Sequence, residues 1–432
     1  MLDKKKLLDT TNKTFCMIPW THLSSWPDGR ILTCCMTDSD DAMGNLKDMT
    51  FEEAWNCKQQ RQLRKNMLEG KASKLCGRCY EQERHGVKNT RNWANRKLNH
   101  HWDVVESTKE DGTVDKVNLP YIDFRFSNLC NFRCRTCGPD LSSGWYDDHH
   151  KMWQGATQKK FIRPYKDEKS FWKVVEPYID DLEEIYFAGG EPLMMDEHYR
   201  ILKRLVEKKM FHVRLQYNTN FSNIIYKDIN VLDEWDKFET VEIGASLDGS
   251  FKRGEYLRKG QVWDQVLENR KQVKERCPRA FFFLATCVNV FNCFHVSDFH
   301  IDWIKKGLVG HHSLLNPLQS PEHLRIQILP TEMKDKLAEK WRKAQAWMVE
   351  NTKADHRRYE SLISYLYETD RTNLQDRWYD ITNRLDKIRN ENWRDIFPEL
   401  HELEDNIKLQ AKLKKKKLIS SSTASLSTNL GS

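Results

Sequence analysis

Between about residues 121 and 330 the apolar pattern keeps switching period. Short β-rich runs occur at YIDFRFS (121–127), EEIYFAG (183–189), VRLQYNTN (213–220), TVEIGASLD (240–248) and FFFLATCVNV (281–290). SLLNPL (313–318) is a weaker sixth. Stretches of helical period lie between them, among them FWKVVEPYI, HYRILKRLVEKK and VWDQVLENRKQVKE. Strands alternating with helices predict an α/β fold built of βα units around a parallel sheet or barrel. From 331 to 411 the pattern is helical, with WRKAQAWMVENT and RYESLISYLYE as amphipathic examples. Residues 412–432 are a basic run followed by Ser/Thr-rich sequence, the composition of a disordered tail. Residues 1–88 form a cysteine-bearing head with little periodicity. Within it, Pro27-Asp28-Gly29 signals a turn, Arg30 to Thr33 a strand, and FEEAWNCKQQRQLRKNMLEG a helix ending at Gly70. Residues 89–120 are polar and read as a connector.

A chain of 432 residues accommodates two or three such domains. The net charge is +7, but five of those charges are Lys412, Lys414, Lys415, Lys416 and Lys417, which leaves +2 for the rest. The near-neutral body argues against a nucleic-acid partner. The start, MLDKKKLLDTTNK, lacks a secretory apolar region, and no run approaches the roughly 20 apolar residues of a membrane span. The expectation is a cytoplasmic protein with no membrane partner. Twelve cysteines in a reducing compartment do not form a disulfide framework, so clustered ones are expected to hold metal.

The chemistry gathers at the ends of the predicted strands. YIDFRFS is followed by Cys130, Cys134 and Cys137, and EEIYFAG by Gly189-Gly190-Glu191-Pro192. Asn218 and Asn220 end the third run; Ser246, Asp248 and Gly249 end the fourth. In parallel α/β folds that edge is where ligands bind, so four such motifs imply one shared site. The cysteine spacing is C-x3-C-x2-C. A closed zinc site needs a fourth ligand, and none is near; His149 and His150 sit in the polar DDHH stretch and read as surface residues. Three thiolates on a cubane cluster leave one iron open to an outside ligand.

The three-cysteine loop after the first strand, with GGEP after the second, resembles the radical S-adenosylmethionine (radical SAM) superfamily over roughly residues 120–330. The resemblance implies a partial (βα)6 barrel and a [4Fe–4S] cluster on Cys130, Cys134 and Cys137 whose open iron binds SAM. It implies reductive cleavage of SAM to a 5′-deoxyadenosyl radical that abstracts hydrogen, with an electron donor such as flavodoxin or ferredoxin. Gly189 and Gly190 would let the backbone approach SAM, and Glu191 would accept from its ammonium. Asn218 and Asn220 would bind ribose, Ser246 and Asp248 the ribose or methionine end, and Arg258 the SAM carboxylate. Where the family often has an aromatic residue before the third cysteine, this chain has Thr136.

In the head, Cys16, Gly29 and Cys34 form C-x12-G-x4-C, and Cys76 with Cys79 forms C-x2-C. Four thiolates complete a shell, and by spacing alone zinc and an iron–sulfur cluster fit equally. The pattern resembles the twitch module, a shortened SPASM domain, which implies an auxiliary [4Fe–4S] cluster on Cys16, Cys34, Cys76 and Cys79. Such a module usually follows the barrel; here it precedes it. The resemblance implies a peptide or protein substrate. Modification of RNA, or a non-catalytic metal-binding scaffold, are the alternatives. Cys287, inside an apolar run, reads as core.

Overall fold

The computed structural model describes residues 2–154, 159–352 and 357–428. Its strands are β1 (His22–Ser25), β2 (Arg30–Leu32), β3 (Gly44–Asn45), β4 (Tyr121–Phe124), β5 (Glu184–Phe187), β6 (Arg214–Thr219), β7 (Ile225–Tyr226), β8 (Ile229–Asn230), β9 (Val241–Ala245), β10 (Phe281–Val288) and β11 (Leu314–Pro317). Nine of them make one sheet in the order β11-β10-β9-β6-β5-β4-β1-β2-β3, and β7 with β8 is a separate hairpin. From β4 to β11 the six barrel strands pair in parallel without a break. Each expected run is a strand, the weak sixth included. Helices Glu168–Val175, Asp196–Glu207 and Trp263–Arg276 lie on the three helical stretches expected, and Val296–Lys305 adds the crossover before β11. The architecture is a six-stranded partial α/β barrel.

The two faces of the sheet follow from strand alternation. Ile122, Phe124, Ile185, Phe187, Leu215, Tyr217 and Ile243 pack with helix residues Phe171, Ile201, Leu205 and Val266 in one core. The register puts Asp123, Tyr186 and Gln216 side by side on the other face, with Asn218 opposite Gly244. This inner face is polar, as a ligand-binding lumen requires.

The head does not stand apart from this sheet. β1 pairs in parallel with β4, His22 opposite Tyr121 and Ser25 opposite Phe124. β2 and β3 continue the sheet antiparallel. The turn between β1 and β2 is the expected one, with Gly29 at φ +92 and its N–H on Trp26 O (2.9 Å). The helix expected up to Gly70 is two helices, Phe51–Trp55 and Lys58–Leu68. The break falls at Cys57, whose extended backbone starts the second helix. The connector also differs from a polar linker. It folds as helices Thr90–Lys97 and Trp102–Glu106, which bury Ala94, Trp102 and Val105 in the barrel core.

After the barrel come helices Thr331–Asn351, Arg358–Glu368, Gln375–Arg389 and His401–Thr428. They enclose a second core of Trp341, Trp378, Trp393 and Phe397 against Val288, Val290 and Phe291 beyond β10. The last helix runs through most of the stretch where the sequence suggests a tail, and 429–432 lie outside the described residues.

Two buried histidines give the fold a pH signature. Burial lowers the His22 pKa to about 4 and that of His198 to about 3. His22 Nδ1 lies 3.0 Å from Tyr121 O, and His198 Nε2 lies 2.9 Å from the Tyr217 hydroxyl. Below about pH 6.5 the unfolded chain protonates these rings while the folded chain does not. Their stability contribution is therefore complete above about pH 6.5 and falls as pH drops toward 4, by at most about 1.4 kcal/mol per pH unit per ring. The melting temperature is expected to fall between pH 6.5 and 4.5, and His198→Phe to flatten that slope. An unchanged slope in the variant would contradict this account.

Candidate functional site

The loop after β4 is tied at both ends by Asn128. Its Nδ2 donates to Pro139 O (2.8 Å) and Lys160 O (3.0 Å), and its Oδ1 accepts from Ile162 N (2.9 Å). Inside, Trp145 Nε1 donates to Cys134 O (2.7 Å) and Cys137 N to the same carbonyl (3.1 Å). Cys134 is buried; Cys130 and Cys137 are half-buried. Burial pushes their thiols up, Cys137 to about 12; neighbouring sulfurs add to it at Cys130 and Cys137, while Arg258 opposes it at Cys134. Against that, donors from three directions are aimed at the sulfurs. Phe132 N lies 3.4 Å and Asn220 Nδ2 3.8 Å from Cys130 Sγ, and Arg258 Nη1 lies 3.7 Å from Cys134 Sγ. Hydrogen-bond donors at sulfur are what a cluster's thiolate ligands need. The donor set fits an iron–sulfur cluster with one iron left free.

Three other strand ends close on this loop. After β5, Gly189 and Gly190 have φ +76 and +58, where side chains are strained. A Cβ on Gly190 would sit 2.4 Å from Leu129 O. Glu191 N donates to Leu129 O (2.8 Å), which joins the two loops. The Glu191 carboxylate is buried and accepts from Leu193 N (3.1 Å), Thr219 Oγ1 (2.7 Å) and Asn220 N (2.6 Å). Burial still pushes its carboxyl up to about 7. After β6, Asn220 turns toward the cysteine loop, with its Nδ2 on Asn131 Oδ1 (2.8 Å). Asn218 is half-buried on the inner face and shares a hydrogen bond with Tyr186. Ser246 is half-buried after β9, its N–H on Thr219 O (2.8 Å).

Asp248 and Arg258 are engaged with each other. Asp248 is fully buried; Oδ1 accepts from Cys287 N (2.9 Å), and Oδ2 pairs with Arg258 Nε at 2.9 Å. Burial alone would lower the Arg258 pKa, but Asp248 and the Cys134 sulfur hold it above its usual value. Asp248 and Arg258, expected at the ribose or methionine end and at the SAM carboxylate, form a chain from carboxylate to guanidinium to cysteine sulfur. Its cause is electrostatic, because a buried carboxylate requires a cation. Cys287 is not plain core either, for it lies half-buried beside Asp248.

The C-terminal helices grip the loop from outside. Arg135, between the second and third cysteines, is buried and pairs with Asp386 and with Glu391 (2.7 Å), its guanidinium 3.7 Å from the centre of the Tyr256 ring. Asp148 joins Arg133 (2.9 Å) to Arg389 (2.8 Å). His149, read from sequence as a solvated surface residue, is half-buried, packs on Trp153 and lines a cavity with Cys137, Arg135 and Phe291. Thr136 is half-buried in the same loop, while Phe132 is fully buried against Gly260 and acts as packing.

In the head, Cys16, Cys34, Cys76 and Cys79 line one pocket with Ile18, Leu63 and Arg91. All four thiols are raised, by burial first; the neighbouring sulfurs add to it at Cys16, Cys76 and Cys79, with Cys76 pushed up to about 12. Among the described residues only His100, His101 and Glu183 bring three such ligand atoms within 4.8 Å of one another. Cys35 leaves this pocket and lies near Asp123 of the inner face; burial pushes it up to about 12. Sequence reading missed the Asp123–Arg125 pair on that face (3.4 Å). The signal was present, since Tyr121, Asp123 and Arg125 alternate with Ile122, Phe124 and Phe126.

The Radical SAM superfamily matches over residues 124–292, and SPASM, an iron–sulfur cluster-binding domain, over residues 16–80. The chain thus carries a radical SAM domain match over its barrel, preceded by a SPASM match over its head. Its cofactors are those of these domains, a [4Fe–4S] cluster with SAM in the barrel and iron–sulfur in the head. No curated protein matches the chain. Among solved structures, native anSMEcpe with bound AdoMet and Cp18Cys peptide is 15% identical, with a TM-score of 0.34 over 52% of this chain and 59% of that one. Native anSMEcpe with bound AdoMet is 15% identical, with a TM-score of 0.36 over 52% and 60%. TYW1 with a lysine-pyruvate adduct bound is 12% identical, with a TM-score of 0.30 over 52% and 70%. The chain thus spans about three-fifths of the anSMEcpe structures it matches. Among the described residues no helix is long and apolar enough to cross a membrane.

Proposed function

We propose that this chain cleaves SAM reductively at a [4Fe–4S] cluster on Cys130, Cys134 and Cys137 and uses the result to abstract hydrogen from a peptide or protein. The observation that carries this is the convergence of three strand ends on one three-thiol loop. Glu191 N reaches Leu129 O, Asn220 reaches Cys130 Sγ and Arg258 reaches Cys134 Sγ. When bound, cluster and SAM supply an electron and a carbon-centred radical. The chain's own residues position and insulate. Gly189 and Gly190 bring backbone close to the thiol loop, and Glu191 Oε2, with one donor, keeps a lone pair for an ammonium. Asn218 and Ser246 are the polar side chains left for ribose hydroxyls. Asp248 acts through Arg258, which tempers charge at Cys134.

Cys16, Cys34, Cys76 and Cys79 hold an auxiliary [4Fe–4S] cluster in this reading. The peptide or protein substrate rests on the resemblance of that head to twitch and SPASM modules. A reduced flavodoxin or ferredoxin is the proposed electron donor. Anaerobic reconstitution tests the whole: about eight iron and eight sulfide per chain are expected, with 5′-deoxyadenosine formed from SAM under dithionite. A cluster-loaded protein that forms none would sink the reading.

Gly190→Ala gives a sharper check. The new Cβ meets Leu129 O at 2.4 Å in a backbone at φ +58, so the two loops must part. The strain is on the order of 1–3 kcal/mol, enough to lower 5′-deoxyadenosine formation at least about fivefold. Turnover at the wild-type rate would show that the contact between the loops is dispensable.

A further inference from the structure

His100, His101 and Glu183 meet at the end of the barrel opposite the cysteine loop, since Glu183 precedes β5 and the cysteines follow β4. The three side chains come from segments held independently. The histidines lie in the turn Asn99–His101, flanked by the buried Leu98 and Trp102. Glu183 is fixed by its N–H on Pro120 O (2.8 Å). The imidazole centres are 4.2 Å apart. His100 Nε2 lies 2.9 Å from both Glu183 oxygens, and His101 Nε2 lies 2.9 Å from Oε1. All three ligand atoms fall within 4.8 Å of one another.

Two ring nitrogens converging on one carboxylate oxygen have two uses. Each can donate an N–H to it, or both can present lone pairs to a cation seated between them and the carboxylate. Two imidazoles and one carboxylate suit zinc and its neighbours, with water completing a tetrahedron. We propose that His100, His101 and Glu183 bind one zinc-class divalent cation. The site is distinct from both cysteine sites and lies on the far side of the sheet ends from the radical chemistry. Its effect would be to clip the connector 89–120 to the entry of β5.

The test uses the reconstituted protein, kept anaerobic so that its thiols stay occupied by clusters. Zn2+ is titrated against a chromophoric chelator. One ion per chain is expected at micromolar or lower concentration, with unchanged iron content. Loss of even an outer partner of a metal ligand weakens binding by roughly tenfold or more, so Glu183→Gln and His101→Ala should each do at least that. His100→Ala is the second safeguard, since that ring is exposed and its loss spares the fold. Co2+ in place of Zn2+ should give tetrahedral ligand-field bands without thiolate charge transfer. Absence of binding, equal binding in all three variants, or a thiolate charge-transfer band would each overturn the proposal.

Discussion

Cys134→Ala is expected to abolish 5′-deoxyadenosine formation and to halve bound iron, from about eight to about four per chain. Of the three barrel thiols it is the most deeply placed, and it is the one that Arg258 Nη1 approaches at 3.7 Å. Without it, two thiols remain for a cluster that needs three. The Arg258 guanidinium would then face an emptied site with only Asp248 as partner. Iron assay and SAM turnover on the same preparation read the two effects together. The matching variant in the head, Cys79→Ala, should also lose about four irons but retain the electron paramagnetic resonance change that SAM causes at the barrel cluster. Full iron and turnover in Cys134→Ala would remove the basis for assigning the loop as the SAM-cleaving site.

The largest stability effect is expected outside the barrel, at Asp386→Ala. This carboxylate pairs with Arg135, accepts from the Tyr256 hydroxyl (2.8 Å) and caps Trp393 N (2.8 Å). Both ion-pair partners are buried, the Arg135 side chain at 2% exposure. Truncation leaves a buried guanidinium with Glu391 alone, and breaking a buried pair costs about 3–5 kcal/mol. Urea denaturation measures that loss. Arg135 lies between Cys134 and Cys137, so the same change should also speed cluster loss, followed as bleaching of the visible absorbance. Asp386→Asn keeps an acceptor and should fall between the two. A loss below about 1 kcal/mol, the range of an exposed pair, would mean that the helix Gln375–Arg389 does not brace the loop.

What was readable in the sequence is what local pattern encodes. Alternating runs mark the six barrel strands, and cysteine spacing marks both thiol sets, because each signal spans few residues. Pairings over long separations were not readable. Nothing in HLSS says that it lies beside YIDF, and nothing in the polar 89–120 stretch announces helices with buried Trp102. The charged residues of the cysteine loop carry no readable signal of their partners either. Arg133 and Arg135 meet Asp148, Asp386 and Glu391 only in the fold, the last two on a helix and its end some 250 positions later. Asp248 and Arg258 carry the same lesson at the site itself. Each was readable as a ligand contact, but nothing in the sequence says that the two pair with each other.

The parallel pairing of β1 with β4 also sets an order of events at the ribosome. His22 and Tyr121 meet across 99 positions of chain. The head leaves the ribosome before the barrel, yet its strand has no neighbour on that side until Phe124 has followed. Until then one edge of a three-stranded ribbon stays open, with Cys16 and Cys34 already synthesised beside it. Closing so long a loop is slow, and an open strand edge recruits other strands. For this chain, translation speed and chaperone cover between the synthesis of β1 and that of β4 should weigh on yield, and expression of a barrel lacking its head would leave the β4 edge open for good.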